Sequence, residues 1–155
     1  MIIPRDTYRQ VESMLHRRAE LLGAAQAALR DAQDRAYYPA APAPDADHVR
    51  TSPAGDRLER AALAVIEAEK RVQAAHAWGR VFVLLDRDFY GTKEGEAAEM
   101  MYIRHYSQAR VAGQLHVNRQ TARRLRDKYV VRAALYATEA GLINTTKGEA
   151  HEQRD

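Results

Sequence analysis

Prolines at positions 39, 42, 44 and 53 break this chain where nothing else would. Proline has no amide hydrogen and clashes with the preceding helical turn, so "YYPAAPAPDADHVRTSPAG" forbids a continuous helix. On both sides apolar residues recur at steps of three and four, the period of one helix face. The fold must therefore place helices on either side of a linker. Upstream, Asp6 or Thr7 is suited to cap a helix to about Ala36, with Tyr8, Val11, Leu15, Leu22, Ala25, Leu29, Ala32 and Ala36 on its stripe and Arg18 interrupting it. One helix of ~30 residues would be about 45 Å long, a length that suggests a coiled-coil-like partner.

Downstream, a second helix starts near Gly55 or Asp56 and stops around Arg87. Its stripe is Leu58, Ala61, Val65, Ala68, Val72, Ala75, Gly79 and Phe82, widened by Leu63, Ile66, Trp78, Val81 and Leu85. The alanines and Gly79 would let a facing helix come close. The simplest arrangement is an antiparallel helical hairpin turning at the prolines; a homodimer through the N-terminal helices could bury the same stripes. Thr92 is suited to cap a third helix over "EAAEMMYIRHY". Tyr37 and Tyr38 should cover the base of the first helix, while Tyr102 and Tyr106 pack the third helix onto the basic helical segment beyond it.

No segment alternates with period two between turn residues, so the expected class is all-α. The expected organisation is a long helical hairpin over residues 1–90 with its Pro-rich linker at 38–54, a second helical domain over 91–143 and a disordered tail at 144–155. Residues 39–54 should be the most mobile internal segment.

The chain has 155 residues and a formal charge of +3. Its basicity is local. Between 107 and 132 stand Arg110, Arg119, Arg123, Arg124, Arg126, Lys128 and Arg132 against Asp127 alone, a net +6 that leaves −3 on the remainder. Such an asymmetry is the footprint of a polyanion partner. There is no cysteine, which excludes disulfides and thiolate metal sites and fits a cytoplasmic protein. No run reaches membrane-spanning length, and the start "MIIPRDTYRQ" lacks the apolar core of a signal peptide. The six histidines are scattered without metal-ligand spacing, no Gly-rich phosphate loop occurs, and no catalytic residue or cofactor is expected.

The basic segment has its own grammar. Ser107 is suited to cap "QARVAGQL", His116 and Val117 form a turn, and Asn118 caps a helix to about Ala140, where Gly141 stops it. Ala112, Leu115, Val117, Ala122 and Leu125 have the spacing of a helix-turn-helix. The alanine at the crossing keeps the helices close, Leu115 and Val117 close the small core, and Leu125 anchors the second helix. His116 takes a turn position usually given to glycine, at some cost for a positive φ. Asn118, Arg119, Gln120, Arg123 and Arg124 then fall where a recognition helix meets base edges. Ser107, Arg110, Arg126, Lys128 and Arg132 are expected to meet phosphates.

"YIRHYSQARVAGQLHVNRQTARRLRDKYVVRAALYATEAGLI" resembles the C-terminal half of phage late-gene transcription regulators of the RinA and ArpU type. It is also similar to the fourth region of bacterial sigma factors, in which a tyrosine-containing helix precedes an S-x-x-x-V-A-x-x-L-x-V-S/N-x-x-T motif, matched by Ser107, Val111, Ala112, Leu115, Val117, Asn118 and Thr121. The resemblance covers roughly residues 52–143, and the alanine-rich first helix departs from it. It implies a prophage-encoded regulator that binds double-stranded DNA, with the N-terminal helices dimerising or touching RNA polymerase. A small terminase subunit, which typically carries its DNA-binding part first, and an RNA polymerase-binding adaptor are the alternatives.

Overall fold

A computed structural model describes residues 3–37 and 54–144, and every regular element among them is helical. Helix α1 spans Arg5–His16, α2 Leu21–Tyr37, α3 Ala54–Asp88 and α4 Lys93–Ala98; a π-helical turn, Glu99–Ile103, continues α4, and α5 (Gln108–Gln114) and α6 (Arg119–Glu139) complete the order. No helix among the described residues is long and apolar enough to cross a membrane. The expected linker and tail, apart from residues 54 and 144, lie outside the described residues, as does the mobility expected over 39–54.

Two expectations for the first helix change. Pro4, not Asp6 or Thr7, occupies the N-cap position, with φ −55° and ψ 144° and no side-chain cap. Its carbonyl accepts from the Tyr8 amide at 3.0 Å, and Thr7 is buried in the first turn. The helix also breaks over Arg17–Glu20. The break lets Arg18 leave the apolar line and form two bonds to the Asp86 carboxylate, at 2.8 and 3.2 Å, with its guanidinium 5.1 Å from the Phe82 ring centre. A straight helix would have carried a cation along its buried stripe, where an unpaired charge is costly.

The chain divides into two compact units, one holding the described residues up to Leu21 and from His76 onward, the other those from Leu22 to Ala75. The division between the units falls within α3, between Ala75 and His76. The large apolar residues of α3, Trp78, Val81, Phe82 and Leu85, share a core with Val11 and Leu15 of α1 and with Leu125, Tyr129, Val130, Ala133, Ala134 and Ala137 of α6. Alanines on one face of α6 let bulky neighbours approach, and Ala97, Ala98, Met101, Tyr102, Val111 and Ile143 complete the core. The wider π turn brings the adjacent Met101 and Tyr102 both to the inside.

The Leu22–Ala75 unit is different. Helix α2 buries no residue, and among its described residues only Ala68 and Ala75 are buried apolar positions. Ala28 and Ala32 of α2 line one concavity with Ala61, Ala64 and Ala68 of α3. Leu58, expected on the buried stripe, is 66% exposed, and Tyr37, expected to cover a helix base, is 78% exposed. Gly79, in the other unit, meets no close neighbour, since an added Cβ would find nothing within 4 Å.

Candidate nucleic-acid interface

Helices α5 and α6 meet through a turn of four residues, Leu115, His116, Val117 and Asn118, that its own chemistry holds. The Ser107 hydroxyl accepts from the Arg110 amide at 3.2 Å and so caps α5. At the other end His116 has φ 55°, the left-handed conformation expected of it. The Val117 amide then reaches the Ala112 carbonyl at 3.0 Å and the His116 amide that of Gly113 at 3.3 Å, the paired bonds of a helix stop normally built on glycine. Asn118 caps α6, its side chain accepting from the Thr121 amide at 2.7 Å. Gln108 of α5 donates to the Arg119 carbonyl at 3.1 Å, tying the two helix starts together. His116→Gly should relieve the left-handed strain and stabilise the fold by up to about 1 kcal/mol. A rise of a few degrees in Tm would register it; an unchanged or lower Tm would show that the histidine ring compensates.

Below the turn the anchor residues are inside. Val111, Ala112, Ala122 and Leu125 are buried, and Leu115 sits half-buried against the core. Because Ala122 and Leu125 fix the roll of α6, its first two turns present Asn118, Arg119, Gln120, Arg123 and Arg124 to solvent. Among the described residues no hydrogen bond or ion pair engages the side chains of Arg119, Gln120, Arg123 or Arg124. Arg119 and Arg123 are one turn apart, as are Gln120 and Arg124, so the four form two adjacent rows.

The residues expected at phosphates divide. Ser107 and Arg110 are exposed, and the Arg110 guanidinium stacks 3.7 Å from the Tyr106 ring centre. Lys128 is exposed, with Nζ 3.6 Å from Glu94. Arg132 approaches Asp88 at 3.3 Å, and the Tyr136 hydroxyl donates to the same carboxylate. These donors, Tyr136 first and then Arg132, hold the Asp88 carboxyl below its usual range.

Arg126 does not join this surface. Its guanidinium turns toward α1, 3.9 Å from Glu12 and 5.8 Å from the Tyr8 ring centre. Its Nε lies 3.5 Å from the Asp127 carboxylate but is not aligned for a hydrogen bond, and so stays buried without a partner. That geometry sets Arg126 apart from the other residues expected at phosphates. Arg126 follows Ala122 by one turn and therefore shares its inward row.

A tyrosine layer joins α6 to α1 and the π turn. Tyr8 donates to Asp127 at 2.6 Å, Tyr102 donates to Glu12 at 3.2 Å, and Arg18 donates to the Tyr129 oxygen at 3.4 Å. Burial first, then the adjacent carboxylates, push the Tyr8 and Tyr102 hydroxyls above the usual range; burial lifts Tyr129 to about 12 against the pull of Arg18. A raised folded-state value stabilises the neutral form, so this contribution is complete below the ordinary value of 10.0 and is lost as pH climbs through about 12. Stability should therefore fall between those limits, and Tyr129→Phe should flatten the fall in urea titrations at stepped pH. An identical slope in the variant would exclude Tyr129 as a source.

Among the described residues no group of His, Asp and Glu side chains has the arrangement of a metal site. No protein-family model, no curated protein and no solved structure matches the chain.

Proposed function

We propose that the protein is a sequence-specific DNA-binding transcriptional regulator whose α5–turn–α6 segment is a helix-turn-helix, with the start of α6 entering the major groove. The observation that carries this reading is the pair of exposed, unengaged rows Arg119/Arg123 and Gln120/Arg124 beside the buried anchors Ala122 and Leu125. Arg and Gln make bidentate contacts to guanine and adenine edges, and a helix start held rigidly at its back can present them in register. Arg110, Lys128, Arg132 and the exposed Ser107 cap flank these rows at the phosphates, and Asn118 stands beside the rows at the base edges. In this reading the helices on either side of the linker pair as a hairpin, and the chain belongs with prophage late-gene regulators.

The test starts from a duplex selected out of a random pool. Arg119→Ala and Arg123→Ala should each cost about 1–3 kcal/mol on that duplex and relax its base preference. Lys128→Ala should weaken selected and scrambled duplexes alike and reduce the salt slope by about one unit. Parent-like affinity of both arginine variants for both duplexes would remove the reading and leave a basic face that meets a protein.

A further inference from the structure

We propose that the outer face of α3 across residues 59–70 docks a second copy of this chain, antiparallel, about a two-fold axis passing between Ala64 and Val65. The observations all lie within the Leu22–Ala75 unit. Its α3 segment turns Ala61, Ala64 and Ala68 toward the concavity shared with α2. At about 100° per residue the opposite side carries Glu59, Leu63, Ile66, Lys70 and Gln73, a four-three-four-three spacing that keeps one straight line along the helix. On that line Leu63 is 54% exposed and Ile66 is 46% exposed, with Ala62 open beside them. No large side chain is buried among the described residues of this unit. A helix pair is stabilised chiefly by the apolar face it covers, and here Leu63 and Ile66, among the largest apolar groups of this unit's α3 segment, are on the uncovered side.

The order of charges specifies the occupant. In a two-fold antiparallel contact each residue meets its mirror position on the other copy. Reflection about the point between Ala64 and Val65 brings Leu63 onto Ile66 and Glu59 onto Lys70. The two apolar residues form the centre, and an opposite-charge pair closes each end. A parallel contact in register would set Glu59 against Glu59 and Lys70 against Lys70, which disfavours that arrangement. Lys70 is free to exchange partners: its ion pair to Glu67 is 3.7 Å long, and both side chains are about two-thirds exposed. A seam of this length belongs with small interfaces, below about 1,200 Å², so the association is weak and reversible. The proposal does not rest on the DNA reading, because mass is measured without DNA.

Sedimentation equilibrium of the full chain across a concentration series tests it. The expected result is a reversible monomer–dimer equilibrium whose Kd rises at least tenfold in Ile66→Glu, with helicity by circular dichroism unchanged. Glu59→Lys and Lys70→Glu should each raise Kd severalfold, and the two together should return it to within about threefold of the parent. That rescue distinguishes antiparallel docking from any other contact through the same helix. A monomer at every concentration would overturn the proposal, whether another protein or another part of this chain covers the face. A dimer indifferent to Ile66→Glu, or a double reversal that fails to restore association, would overturn it equally.

Discussion

Leu85→Ala should lower the stability of the fold by about 2–5 kcal/mol. Leu85 is completely buried near the end of α3, in the core that α1 and α6 complete. Truncation removes the transfer energy of the lost carbons and leaves a cavity between rigid helices. The surrounding helices have little freedom to collapse into it, since Tyr129 is tied to Arg18 and Arg18 to Asp86, one residue beyond Leu85. Domains are stable by only about 5–15 kcal/mol, so the variant would lose a large share of the total. Urea unfolding followed by circular dichroism measures it, with Leu63→Ala as the exposed comparison, expected near zero for the monomer. A loss below about 0.5 kcal/mol in Leu85→Ala would mean that α3 does not pass through this core.

Gly95→Ala should cost roughly 3 kcal/mol, the upper part of the overpacking range. In an ordinary helix the same change stabilises, by about 0.4–1 kcal/mol, through the unfolded chain. Here the sign reverses because a methyl at Gly95 would run into the carbonyl oxygen of Phe89. That oxygen cannot swing aside: it accepts from the Thr92 hydroxyl at 2.7 Å, and the same hydroxyl accepts from the Gly95 amide at 3.1 Å. Backbone faces backbone, so relief requires the first turn of α4 to lift, which moves Ala97 and Ala98 out of their buried positions. Thermal unfolding of Gly95→Ala beside Gly113→Ala, where a Cβ meets nothing, separates the two effects. Equal Tm values for the pair would show that the Phe89 turn yields.

Most of the basic segment was legible because local chemistry determines it. Ser107, Asn118 and Thr92 cap through bonds three residues long, and Gly141 stops α6 at φ 72° just past Ala140. Even the cost at His116 could be read, since the turn geometry follows from the helix-stop bonds around it. The break after His16 could not. Its cause is Arg18 reaching Asp86, a partner 68 residues away, and the apolar spacing resumes in phase at Leu22 as if the helix were continuous. The unit boundary within α3 has the same origin: which half of α3 joins α6 depends on side-chain bulk in three dimensions. Arg126 is the instructive exception. Charge grouped it with Lys128 and Arg132, whereas its one-turn offset from Ala122 already placed it on the inward row.

The unequal filling of the two units has a consequence for exchange with solvent. Amide hydrogens of α6 and of Trp78–Leu85 are held behind Val130, Ala133 and Leu85, which are completely buried, and release only when that unit opens as a whole. Amides of α2 have no buried side chain of their own helix above them, so small local openings suffice to free them. Deuterium should therefore enter in two waves separated by orders of magnitude in rate, the first sweeping α2 while α6 remains protonated. Each unit then carries its own opening free energy, and that of the unit holding α6 is the one that Leu85→Ala lowers.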